Sequence, residues 1–232
     1  MTLVKTIVCL ANSRKLSGRC VAGMLADGSG EWVRPVSARP NREVSTWERQ
    51  YADGTDPSVL DIVSVALVRP QPHDFQSENW LLNPTSFWNK IGRVDWRGLV
   101  GLEQRPSALW INGSSSYHGN NDRIPIEEAF TLSDSLNLIR TAGLTLQVHT
   151  PGAMFGNQKR ALSAHFSYAG NSHILRVTDP EYELEYLPKP EGFYELGESF
   201  LTVSLSEPYE GHVYKLVAAI IERVKVQAGG RR

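Results

Sequence analysis

The chain has 232 residues, with 24 Lys/Arg against 25 Asp/Glu, and 41% of its residues are hydrophobic. That length suits one large domain or two small ones, and a formal charge of −1 excludes a uniformly basic coat for nucleic acid while leaving a local basic face open. No stretch approaches the roughly eighteen apolar residues of a membrane-spanning helix, and the start has no signal-peptide pattern. The expected setting is therefore cytoplasmic, with no membrane partner.

In chain order, residues 3–10 read as a buried strand and 19–25 as its partner. Between them, "NSRKLSGR" reads as a long, charged loop. "ADGSGEW" is a turn, and residues 31–36 form a third strand that Pro35 and Pro40 end or push to an edge. A short helix is expected after Asn41. Ile62 to Val68, rich in β-branched residues and stopped by Pro70, is the next strand. Residues 72–110 hold Trp80, Trp88, Trp96 and Trp110, and "PTSFWNKIG" and "DWRGLVGL" read there as short helices. "INGSSSYHGNNDRIP" is a polar loop and the best candidate linker. From Ser135 onward every segment reads as strand, including "ALSAHFSY" and "YELEYL", with Gly170-Asn171 as a hairpin signal.

This pattern predicts a mainly β protein: two small OB-like β-barrels joined by a Trp-rich segment with short helices. The expected domains are 1–110, a barrel with a helical extension, and 133–228, a second barrel. Periodicity alone does not choose the OB topology over other small barrels.

Cys9 and Cys20 belong to no CxxC pair, and no His stands near them at zinc-ligand spacing. They read as buried, reduced residues that face each other across a hairpin. Nucleotide-binding glycine motifs, zinc-protease motifs and a nucleophile elbow are all missing from the sequence. No cofactor, metal or catalytic residue is expected.

The strongest candidate binding element is the first inter-strand loop. Arg14, Lys15 and Arg19 offer positive charge, Asn12, Ser13 and Ser17 offer neutral hydrogen bonds, and Gly18 allows close backbone approach. In OB barrels that loop flanks the ligand face. Trp32 and Arg34, two apart on the third strand, suit stacking and phosphate pairing. Lys215 interrupts an apolar strand and reads either as an edge residue or as lining a cleft with Arg176. Asp179 before Pro180 reads as a turn, or as a carboxylate orienting Arg176 or Lys215. His118 and His165 read as surface residues.

"CLANSRKLSGRCVAG", "GEWVRPVS", "LRVTDP" and "SLSEPYEGHVYKLVAAII" together resemble a family of largely uncharacterised bacterial proteins described as a dual OB-containing domain. The resemblance implies two OB folds and a nucleic-acid or nucleotide-binding role, in mobile-element or defence settings. It also singles out Pro35, Pro180 and Tyr214 beside the residues above. The first reading is a non-catalytic module for single-stranded nucleic acid or a nucleotide. The alternatives are a protein-interaction domain that uses the Trp-rich surface, and an enzyme acting on a nucleotide with Asp179 or His165 as general base.

Overall fold

The computed structural model describes residues 2–229, which fall into two compact units. The first comprises the chain up to Glu103 together with Ser133–Ser135; the second comprises Gln104–Leu132 and the chain from Leu136 onward.

In the first unit, β1 (Leu3–Lys15), β2 (Gly18–Leu25), β3 (Trp32–Val36), β4 (Asp61–Pro70) and β5 (Asn79–Leu82) close a barrel in the order β1-β2-β3-β5-β4 and back to β1. All neighbours are antiparallel except β3 and β5. α1 (Thr46–Arg49) lies between β3 and β4 in the chain, and β6 (Asn89–Arg93) adds to the start of β4. This is an OB-type barrel. Its core holds Ile7, Cys9, Val21, Val33, Val63, Val65 and Leu67. Val63, Val65 and Leu67 alternate along β4, which is the period of a strand with one face in the core.

The second unit repeats the order with its first strand in two pieces. β8 (Leu136–Thr141) pairs with β13 (Ser199–Leu205), whereas β9 (Leu144–His149) pairs with β10 (Ala161–Tyr168). Only Ala142 and Gly143 separate β8 from β9. The path runs β9-β10-β11-β14-β13-β8, where β11 is Asn171–Val177 and β14 is His212–Glu222. β11 and β14 are parallel, as β3 and β5 are in the first barrel. α4 (Pro180–Tyr186) stands between β11 and β13, the place that α1 takes in the first unit. β12 (Gly192–Leu196) adds an edge beside β9, and the short β7 (Arg123–Pro125) pairs with β14. The remaining helices are α2 (Trp96–Val100), α3 (Ile126–Ala129) and α5 (Arg223–Gly229).

Several local expectations are corrected. "NSRKLSGR" is not a long loop: β1 runs on to Lys15, Arg14 pairs with Arg19 and Lys15 with Gly18, so the turn is Leu16-Ser17 alone. "YELEYL" is helical, because Asp179 caps the first turn, Pro180 sits just inside it and Glu181 and Glu183 follow. Its apparent alternation misleads: Tyr182 and Tyr186, four apart, are buried, while Leu184 is 79% exposed. In "PTSFWNKIG" the segment Asn89–Arg93 is strand β6, not helix. The cysteines do not face each other, since Cys9 lies opposite Gly23 and Cys20 opposite Ser13. Both are free, with Cys9 buried and Cys20 only half-buried. The four tryptophans of residues 72–110 are buried or half-buried.

One buried ion pair fixes the first barrel. Arg34 on β3 and Glu78 just before β5 meet at 3.0 Å, with both side chains at most 5% exposed. The Arg34 amide also donates to the Glu78 carbonyl at 2.8 Å. Ser135 completes the group by accepting from Arg34 Nη2 at 2.9 Å and donating to Glu78 Oε1. Arg34→Ala leaves Glu78 buried and uncompensated, so it should cost about 3–5 kcal/mol. The double change Arg34→Met with Glu78→Leu should recover most of that loss, as read from urea unfolding. In native protein, Cys20 should alkylate before Cys9, which mass analysis of a timed reaction will show.

Candidate nucleic-acid interface

The residues singled out in the first barrel divide by role. Asn12 Nδ2 donates to the Pro57 carbonyl at 2.8 Å, and Ser13 Oγ to the Cys20 carbonyl at 3.3 Å. Ser17 Oγ reaches Glu43 Oε1 at 3.5 Å. A side chain at Gly18 would meet the Val44 carbonyl oxygen at 2.7 Å, so the backbone that needs this glycine is the protein's own. Trp32 is buried and Arg34 is held by Glu78. Arg14 is exposed and Lys15 and Arg19 are half-buried, so the positive charge of the opening motif sits on the paired ends of β1 and β2.

In the second barrel, Lys215 and Asp179 are structural. Lys215 shares the inward register of β14 with Val213 and Val217 and is 1% exposed. Its ammonium donates to the Ile111 carbonyl at 2.7 Å and to Asn112 Oδ1 at 2.8 Å, and burial pulls its pKa down to about 8. Lys215 therefore anchors the polar loop 111–122 rather than lining a cleft. Asp179 accepts from the amides of Glu181 (3.0 Å), Tyr182 (3.4 Å) and Ile220 (3.0 Å), tying α4 to β14. Burial outweighs those donors and pushes its carboxyl up to about 6. Tyr214 is half-buried, with the Tyr209 ring 6.5 Å away.

Arg176 belongs to a larger arrangement. The registers of β12, β9, β10 and β11 align Phe193, Gln147, Ser163 and Arg176 in one row across four strands. Paired residues face the same side of a sheet, so an exposed aromatic ring, an amide, a hydroxyl and a guanidinium share one face. Phe193 is 64% exposed. His149 and His165 flank the row, with His149 Nε2 3.0 Å from Ser163 Oγ and His165 Nε2 donating to Gln147 Oε1 at 2.9 Å. The His165 ring meets Phe193 edge-on at 5.5 Å.

Two connections border this face. Loop 111–122 docks on β11, where Asn120 bridges Ile174 and Asn121 Nδ2 donates to the Ser172 carbonyl at 3.0 Å. The Asp122 carboxylate holds Ser116 through its amide at 2.7 Å and its hydroxyl at 2.5 Å. The loop presents Tyr117, 79% exposed, and His118, whose Nε2 donates to the Pro151 carbonyl at 2.7 Å. The β9–β10 connection presents Met154 and Phe155, both at least 80% exposed. Burial, followed by the nearby His118, Arg176 and His165, lowers the pKa of His149; burial also lowers that of His165. Both are neutral at pH 7.

His149, Gln147, Phe193 and Tyr117 were missed in the sequence. The alternation Thr145, Gln147, His149 along β9 carried the signal for two of them.

A cleft of about 490 Å³ in the first unit is lined by Tyr51, Asp56, Asp61, Trp88 and Lys90. Asp61 there already accepts from Lys90, Arg93, Tyr51 and the Ser58 amide, so its charge is spent within the fold. Among the described residues, no group of three or more His, Cys, Asp or Glu is placed to hold a metal ion. No helix among them is long and apolar enough to cross a membrane.

Twin OB-type barrels place the protein in a class of folds whose members bind oligonucleotides and oligosaccharides on one sheet face. A family model described as a dual OB-containing domain matches residues 5–220, and the chain belongs to that family. No curated protein and no solved structure matches it.

Asp179→Ala should cost about 1–3 kcal/mol by stranding buried amides, while Asp179→Asn keeps an acceptor and should cost less. The folded carboxyl binds its proton more tightly than the usual 3.8. Its contribution to stability is therefore full below about pH 4 and declines as pH rises through about 6. Denaturant melts at pH 5 and 7.5 should show this decline in the parent protein and its absence in Asp179→Asn.

Proposed function

We propose that the protein is a module for single-stranded nucleic acid whose strand lies across β9, β10 and β11 of the second barrel. The observation that supports this most is the row Phe193–Gln147–Ser163–Arg176. An aromatic ring at one end gives bases a stacking platform, and a guanidinium at the other gives the backbone a cation. Gln147 and His165 supply neutral donors and acceptors for base edges and sugars. Phe155 and Tyr117 on the bordering connections extend the stacking surface along the strand. The net charge of −1 fits a strand held by stacking with few ionic contacts.

The hairpin arm of the first barrel is the second element of the reading. Arg14, Lys15 and Arg19 supply cations of the kind that bind phosphate without regard to sequence. The interaction-module alternative has less support, because the tryptophans of the middle segment are buried or half-buried.

Fluorescence anisotropy with labelled single-stranded oligonucleotides, titrated at several salt concentrations, tests this. Phe193→Ala should weaken binding by about 1–3 kcal/mol with little change in salt dependence. Arg176→Gln should weaken it and flatten the log–log salt slope by about 0.7. Replacing Arg14, Lys15 and Arg19 by Gln should flatten the slope further if the arm also contacts the strand. Unaltered affinity in Phe193→Ala and Arg176→Gln, both folded by thermal melt, overturns the reading.

A further inference from the structure

We propose that the same face cuts the strand when it is RNA, with His149 as general base, His118 as general acid and Arg176 stabilising the phosphate. The inference rests on the binding reading above and goes beyond it.

Three observations carry it. First, two histidines from different segments converge: the rings of His118 and His149 lie 5.8 Å apart at 63°. That spacing lets a nitrogen of each ring reach a different oxygen of one phosphodiester, at the hydrogen-bond distances proton transfer needs. Second, each ring is held. His118 Nε2 donates to the Pro151 carbonyl, which leaves Nδ1 to exchange a proton with substrate. His149 Nε2 is tied to Ser163, which is 4% exposed and acts as a positioning residue. Third, Arg176 stands opposite Ser163 on the neighbouring strand, so a permanent cation adjoins the pair. Such a cation is the group that offsets charge building on a pentacoordinate phosphate.

The step needs no co-reactant. His149 takes the proton of the 2′-hydroxyl as that oxygen forms a new bond to phosphorus. The bond from phosphorus to the 5′-oxygen breaks, and the electron pair leaves on that oxygen, which takes a proton from His118. The products are a 2′,3′-cyclic phosphate and a 5′-hydroxyl. Burial, with His118, Arg176 and His165 on one side and Glu191 opposing them, keeps His149 neutral at pH 7, which is the form a base requires. A deoxy strand has no 2′-hydroxyl and is bound uncut.

The test uses the full chain, a labelled single-stranded RNA and its all-deoxy counterpart. Cleavage is followed on gels, product ends are identified by mass, and binding of the deoxy strand is measured in parallel. The expected result is RNA cleavage to cyclic-phosphate ends with a bell-shaped pH–rate profile. His118→Ala and His149→Ala should each slow it at least about 100-fold while still binding the deoxy strand. RNA that stays intact although the deoxy strand binds overturns the cleavage proposal alone. So does cleavage that persists in both histidine variants, or equal cleavage of the deoxy strand. Absence of binding to either strand overturns the underlying reading and this proposal with it.

Discussion

The buried pair of Arg34 and Glu78 is the constraint on which the first barrel depends. It sits where β3 and β5 run parallel, the junction that closes the sheet into a barrel. Parallel neighbours need a long crossover, so this junction joins residues 44 apart in sequence and cannot be set by a turn. A charge pair buried at this point costs desolvation, and hydrophobic residues of the same volume could give comparable stability. What the pair adds is selectivity: only the register that brings guanidinium and carboxylate together avoids a buried lone charge. Ser135 extends that selectivity to a segment more than fifty residues further along the chain.

The second barrel uses the same device for a different end. Lys215 is buried and answered by a carbonyl and an amide of loop 111–122. Asp122 and Asn121 tie the rest of that loop to itself and to β11. A polar loop that would otherwise be loose becomes a rigid border for the outward face of β9, β10 and β11. Residues held in this way meet a ligand with little ordering cost, and the loop's exposed ring and imidazole are therefore preorganised. Burying a lysine inside one barrel thus bears on what the outer face of that barrel can bind.

The sequence made the architecture legible and much of the site illegible, for physical reasons. Alternation and turn residues expose strands wherever one face is wet, which covers β4, β10 and β11. They mislead at Tyr182, Leu184 and Tyr186, where an i, i+4 pair beside an exposed leucine imitates period two. They also mislead at "NSRKLSGR", whose charged residues look like loop but extend a hairpin arm. The charged residues that stand out in an apolar strand, Arg34 and Lys215, stand out because they are buried in polar networks. The face of the second barrel is the opposite case. Gln147, His149, Ser163 and Arg176 are ordinary in their own strands, and only the registers of four strands bring them into one row. Such a row is a tertiary property that no short stretch of sequence contains.

Photocrosslinking tests the central claim, a strand across that row, most directly. A single-stranded oligonucleotide carrying photoreactive bases is irradiated with the full chain, and the crosslinked peptides are identified by mass spectrometry. Crosslinks are expected at Phe193 and Tyr117 and on the connection that carries Phe155. Crosslinks confined to the first barrel, with the second barrel's face unmodified, would contradict it.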